Sequence, residues 1–390
     1  MKPSPITRAD EEVVSKLSGS GSKDCSHGLI KVVTFLVIFI AGVVLGLSAS
    51  MHVTQRYGST TELFFPLPHY TAVFKEEDCL SIGKFINPSE LTHQMTDEEL
   101  FWRASMVPQK TNFPYKRVPK VAFLFLTRGP LPFLPLWESF FHGHQDQYSI
   151  YVHTPPGYKL NVSQTSAFYG RQIPSQNVRW GSPQLTDAEK RLLANALLDF
   201  SNERFVLISE SCIPVYNFPT VYKYLIGSTQ SFVDSYDDPS RYGRGRYSRN
   251  MLPHIKLADW RKGSQWFELN RVLAVNIVAD TKYYDIFRKY CRPSCYPDEH
   301  YIQTYTNMFF GQLNSNRSVT WVDWSRGGPH PATFGAVDIT EDFIRDIRDS
   351  NGTTCKYNSK ETTICYLFAR KFAPSALEPL MNLTSKLMKF

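Results

Sequence analysis

No P-loop, no glycine fingerprint of a dinucleotide site and no HExxH helix occurs in the 390 residues. Those absences leave out P-loop phosphate chemistry, a Rossmann cofactor site and a zinc-protease centre. A sulfotransferase would also need an early phosphate-binding loop with a suitable Lys and Ser/Thr, and none is present. The seven cysteines lack the paired spacing of a tetrahedral zinc site. No internal repeat or low-complexity tract appears. The net charge of +7 is too small to argue for nucleic acid, so no nucleic-acid partner is expected.

Asp-x-Asp is missing as well. Two aspartates so spaced commonly hold the divalent cation that neutralises a departing diphosphate. Past Val118 the one mixed acidic pair at that spacing is Asp187 and Glu189, and Thr186-Asp-Ala-Glu189 already reads as a helix-capping box. A diphosphate leaving here would therefore have to be steadied by basic side chains, with no metal or other cofactor expected. Arg370-Lys371 is the leading candidate for that task; an exposed basic pair is the alternative.

What is present is an ordinary globular balance, 42% hydrophobic and 20% charged, with aromatics high at 14%. Such an aromatic content suits a deep core and also a carbohydrate site, where flat rings meet apolar sugar faces. Residues 1–28 are polar and without period. Leu29 to Leu47 is then almost wholly apolar, interrupted by Lys31 and Thr34. Nineteen residues at ~1.5 Å each nearly cover a hydrocarbon core of ~30 Å. A retained anchor is favoured over a cleaved signal peptide, although Ser48-Ala49-Ser50 offers small residues, because the polar leader is long. Lys16 and Lys23 before the segment and Lys31 at its start, against Arg56 after it, place the N-terminus in the cytoplasm. The expected division is a tail at 1–28, an anchor at 29–50, a stem at 51–95 and a lumenal domain at 96–390.

Two features fit a lumenal address. Asn161, Asn316, Asn351 and Asn382 each begin a glycosylation triplet. With Cys25 on the cytoplasmic side, six cysteines remain, an even number. Cys355 and Cys365 have hairpin-like spacing, and Cys291 and Cys295 are close enough to bridge. Cys79 and Cys212 are then left to each other by elimination.

The domain reads as alternating strands and helices. Thr96-Asp-Glu-Glu99 caps a short docking helix. Strands are expected at Val121–Thr127, Tyr148–His153, Phe205–Ser209, Ser231–Ser235, Trp266–Leu269 and Cys365–Phe372. Helices are expected from the Thr186 box through Phe200, over Phe218–Leu225, from Arg271, and over Asp338–Arg348. That order predicts an α/β sheet with ligands at the strand C-termini. Arg241-Tyr-Gly-Arg-Gly-Arg-Tyr-Ser-Arg249 reads as a loop over an anionic ligand or as a merely solvated one.

Cys291-Arg-Pro-Ser-Cys-Tyr-Pro-Asp-Glu-His-Tyr301 gathers two cysteines, two prolines, adjacent carboxylates and a histidine. A loop so stiffened can aim a carboxylate at a reacting hydroxyl; a stapled surface turn with solvated acids is the alternative.

Short matches in series carry a resemblance. They include Asp97–Val107, Pro119–Gly129, Tyr148–His153, Leu192–Asp199, Asn202–Cys212 and Asp259–Phe267. Pro297-Asp-Glu-His-Tyr301, Asp323-Trp-Ser325, His330-Pro331 and Leu367-Phe-Ala-Arg-Lys-Phe372 complete them. From about residue 96 to about 375 the chain resembles the plant branch of the core-2/I-branching β-1,6-N-acetylglucosaminyltransferase-like family. The resemblance implies a GT-A-like single catalytic domain behind a transmembrane helix and stem, in a single-pass type II Golgi membrane protein. It implies an inverting transferase working without metal, with a UDP-sugar donor, GlcNAc by resemblance, and a glycan or cell-wall polysaccharide acceptor. The catalytic base falls on Glu299 and the donor-diphosphate contact on Lys371. A second phosphate-binding arginine has no clear match, and Arg370 is put in its place. Thr127, Arg128 and His153 would face the nucleotide. Trp266 would stack on the acceptor, with a buried strand aromatic as its alternative role, and Glu210 and Asp298 are further acceptor contacts. Packing by Tyr296 and Pro297 is expected to raise the Glu299 pKa by desolvation. A different class stays open, a catalytically silent lumenal glycan-binding protein.

Overall fold

The computed structural model describes residues 24–57, 91–107, 113–292 and 294–390. It divides into two compact units, Met1–Asp78 and Cys79–Phe390. In the first, helix α1 runs Asp24–Tyr57 and extends past both ends of the expected anchor. Its Lys31–Met51 segment is long and apolar enough to cross a membrane. Most of the expected stem lies outside the described residues.

The second unit opens with α2 (Asp97–Ser105), whose capping box is formed as the sequence predicts: Thr96 Oγ1 accepts from Glu99 N and Glu99 Oε2 from Thr96 N. Its main sheet joins β1 (Lys120–Leu126), β2 (Tyr148–His153), β3 (Asn202–Ser209) and β5 (Glu268–Asn270) in the order β2-β1-β3-β5. The first three strands are parallel and β5 is an antiparallel edge. Burial on both faces explains the unbroken apolar run of β1. Ala122, Leu124 and Leu126 enter a core shared with α2, α4 (Pro183–Leu197) and α6 (Arg271–Ala279). Val121, Phe123 and Phe125 enter the opposite core with α3 (Leu134–Phe141) and α5 (Phe218–Ile226). Much of the aromatic content sits there: Phe123 meets Trp137, Phe140, Phe141 and Phe368 edge-on, at centroid distances of 4.9–6.2 Å.

A second sheet, β4 (Ile213–Pro214), β9 (Phe368–Arg370) and β6 (Thr320–Val322), is ordered β4-β9-β6. It brings the C-terminal strand beside the end of β3. The hairpin β7 (Cys355–Tyr357) and β8 (Lys360–Thr362) is closed by the Cys355–Cys365 disulfide. Helices α7 (Lys282–Tyr290), α8 (Tyr301–Phe310), α9 (Glu341–Arg348) and α10 (Leu377–Leu383) complete the unit.

Four expectations need correction. Helix α4 starts at Pro183 behind Ser182, so Thr186 and Glu189 lie buried inside it and cap nothing. Ser231–Ser235 makes only single bridges, at Ser231 and Phe232. Asparagine side chains bond part of the remaining backbone: Val233 N donates to Asn314 Oδ1, Ser235 N to Asn316 Oδ1, and Val233 O accepts from Asn314 Nδ2. Helix α9 begins after Thr340, since Asp338 ends a separate turn of 3-10 helix. Cys212 is a free, buried thiol; its Sγ bonds Ser209 instead, and Cys79 lies outside the described residues.

Candidate active site

Parallel pairing sets the first wall of the site. Leu126 is in register with His153 on one side and Ser209 on the other, so Thr127, His153 and Glu210 end three strands on one edge. All three line a cavity of about 1220 Å³, as do Arg128, Glu299 and Lys371. That volume exceeds the ~300–1,000 Å³ of ordinary small-ligand pockets and has room for two substrates. Thr127 is buried, with its N and Oγ1 both turned to His153 O. His153 is buried too, and Arg191 Nη1 lies 2.9 Å from its Nε2. Burial first, then the Arg191 charge, lowers its pKa to about 4, so the imidazole is neutral and Nε2 accepts.

The basic corner forms where β9 meets the end of β3. Arg128 reaches over the surface and donates to Glu210 Oε1 at 2.8 Å. Lys371 stands near Arg370, Arg128 and Glu210; burial first, then the two arginines, lowers its pKa. Arg370 is the more enclosed of the pair, its guanidinium 4.2 Å from the centre of the Trp266 ring. Glu210 belongs to this cationic corner, because Arg128 holds it there. One face of Trp266 carries a guanidinium, and the ring is buried, which favours its alternative role as a core aromatic.

The loop after Cys291 lines the same cavity with Tyr296, Asp298 and Glu299. The Cys291–Cys295 disulfide is formed, with Cα atoms 5.0 Å apart. Tyr296 adopts the left-handed conformation at φ 53°, and the turn of 3-10 helix Pro297–Glu299 follows. The loop rests on Gly181, where φ is +71° and an added Cβ would stand 2.9 Å from the Tyr296 ring. Ser294 Oγ donates to Gly181 O. Beneath it, His300 is buried against Trp260 with ring centres 4.7 Å apart, and its Nδ1 donates to Tyr296 O at 3.0 Å. The Gly263 backbone meets the loop through its N–H to Glu299 O, so closely packed against Asp234 that a Cβ would fall 2.0 Å from Asp234 O.

The two adjacent acids have separate fates. Glu299 keeps a quarter of its side chain exposed, and its Oε2 accepts from Arg246 Nη1 at 2.7 Å and Lys262 Nζ at 3.2 Å. Burial pushes its pKa upward, but Lys262 and Arg246 outweigh that and hold it below its ordinary value. The expected upward shift at Glu299 is therefore corrected: the counter-charges win. Asp298 takes the upward shift instead, to about 7, through burial and then the neighbouring Glu299 charge. Asp298 lines the cavity but is buried. That Arg246 and Lys262 pair with Glu299 is not legible in the sequence, for the Arg241–Arg249 stretch carries no local mark of its partner 53 residues away.

Among the described residues no group of three or more His, Cys, Asp or Glu side chains is placed to hold a metal ion. All four triplet asparagines, Asn161, Asn316, Asn351 and Asn382, are exposed.

The model of the core-2/I-branching enzyme family matches residues 121–348. The chain belongs to the core-2/I-branching family. A relative in rice, Oryza sativa subsp. japonica, is described as glycosyltransferase BC10. It is 37% identical over 309 residues, covering 68% of this chain and 76% of that protein. The chain is thus a glycosyltransferase of the core-2/I-branching family, a class that implies a nucleotide-sugar donor and a glycan acceptor. In this family member the matched residues begin at β1 and include Glu299, but stop short of Arg370 and Lys371.

Proposed function

We propose that this glycosyltransferase moves a sugar, GlcNAc on family resemblance, from a UDP-sugar to a glycan hydroxyl, with inversion and without a metal. Cell-wall polysaccharide and glycoprotein glycans are the acceptor classes that fit. The observation that carries the reading is the sharing of one cavity by a partly exposed, ionised Glu299 and the basic corner of Arg128, Arg370 and Lys371.

The acceptor oxygen attacks the anomeric carbon from the side opposite the nucleotide. Its bond to that carbon forms as the carbon–oxygen bond to UDP breaks, and the bonding pair leaves with UDP. Glu299 takes the hydroxyl proton. A carboxylate held below its ordinary pKa is a weak base towards a resting alcohol, so transfer is favourable only as attack makes the hydroxyl acidic. Lys371 and Arg370 meet the charge growing on the diphosphate. Neutral His153 and Thr127 close the strand ends where the nucleotide would lie.

The α1 helix supports a signal-anchor, and the lysine bias before it supports a type II, Golgi-lumenal placement. Two formed disulfides and four triplets whose asparagines are exposed agree with an oxidising, glycosylating compartment. A UDP-sugar panel with the purified protein, repeated with EDTA, tests the reading. Turnover that survives chelation is the expected result. Loss of turnover on chelation sinks the metal-free part, and glycan binding without UDP release from any donor sinks the enzyme reading.

A further inference from the structure

The matched family domain begins at residue 121, yet the pocket wall is tied to a residue upstream of it. Asp97 opens helix α2. Its Oδ1 and Oδ2 accept from Arg191 Nε and Nη2, each at 2.6 Å, and Oδ2 accepts from Gln176 Nε2 at 3.3 Å. Arg191 in turn donates to His153 Nε2, and His153 O receives Thr127 N at 3.0 Å. Gln176, His153 and Thr127 all line the cavity. From these bonds we propose that Asp97 is a positioning residue for the donor half of the site. Helix α2, ahead of the matched residues 121–348, then sets donor affinity.

The physical case rests on the buried guanidinium. The Arg191 side chain is 4% exposed, and Asp97 is its anionic partner. A charge-assisted, two-pronged pair fixes the plane of the guanidinium as well as its place. That plane aims Nη1 at His153. Without the carboxylate, a buried cation is left to find water or the His153 ring, and either outcome turns the imidazole at the end of β2. Helix α2 is held firmly enough to serve as the fixed end: Leu100 and Ala104 are buried in the core shared with α4 and α6, and Thr96 and Glu99 cap it. His93 adds a second tie, through its bond to Asn195 on α4.

The inference rests on the reading of this cavity as a donor site. The test uses the full-length protein in detergent, with UDP binding by calorimetry and initial rates against donor and acceptor. Asp97→Asn should raise the UDP Kd and the donor KM about tenfold, the scale of one charge-assisted hydrogen bond. The acceptor KM and kcat should stay within about twofold of wild type, since Asp97 bonds nothing on the Glu299 side. Thr96→Ala, which strips the helix cap and leaves the Asp97 carboxylate, should lower Tm without moving the UDP Kd. If Asp97→Asn does not fold, Asp97→Glu, which keeps the charge but displaces it by one methylene, takes its place with the same expected rise. A wild-type Kd in the Asp97 variant overturns this inference alone. An equal Kd change in Thr96→Ala does so too, by reducing Asp97 to a helix-docking contact. A wild-type protein that binds no UDP overturns the donor-site reading along with it.

Discussion

Arg246 and Glu299 meet at 2.7 Å on the wall of the cavity, the guanidinium lying 4.0 Å above the Tyr296 ring. Tyr296 therefore acts as a platform that fixes the cation, and the cation keeps the carboxylate charged. Removing the cation should show in the pH profile. Arg246→Ala leaves burial opposed by Lys262 alone, so the acid limb of kcat/KM should move to higher pH. An acid limb unmoved in this variant would show that Glu299 is not the titrating base.

Glu299→Gln keeps the shape of the side chain and removes its basicity. Turnover should fall by ~10²–10⁴-fold while UDP still binds. Near-normal turnover would remove Glu299 from the mechanism, whatever its place in the cavity.

The basic corner should split by enclosure. Lys371→Ala should cost about 10²–10³-fold in turnover, the loss expected for one preorganised charge facing the leaving group. Arg128→Ala should cost within about threefold, because its side chain is 81% exposed and its pair with Glu210 is screened. Arg370→Ala should lower thermal stability as well, on the order of 1–2 kcal/mol, since it uncovers Trp266. Equal rate losses at Arg128 and Lys371 would contradict this ranking.

Asp298 supplies a stability signature. Its folded-state pKa of about 7 stands above the ordinary 3.8, so between those values the folded protein holds a proton that the unfolded chain has released. Stability from this group is complete below about pH 4 and declines as the pH rises to about 7. Asp298→Asn, with Oδ1 unpartnered in the native loop, should flatten that decline and stabilise the protein above pH 7. Denaturation midpoints at pH 5 and pH 7.5 decide it; an unchanged difference between them rules Asp298 out as the source.

Much of this protein is legible along the chain because the signals are local. The apolar run of β1, the Thr96 capping box, the α1 segment and the two close cysteine pairs each depend on residues a few positions apart. So does the acid on a stiffened loop, which singles out the stretch around Glu299 before any fold is known. What sequence cannot carry is the field at that acid. Its cations come from 53 and 37 residues away, and whether burial or pairing wins depends on their placement in three dimensions. The same reason separates Asp298 from Glu299, adjacent in the chain but unequal in exposure. It lays Arg370 on Trp266, leaves Cys212 a free thiol, and joins Asp97 to a strand end 56 positions on through Arg191. Periodicity and spacing determine which elements form; solvent exclusion and charge geometry, which exist only after packing, decide what the groups between them can do.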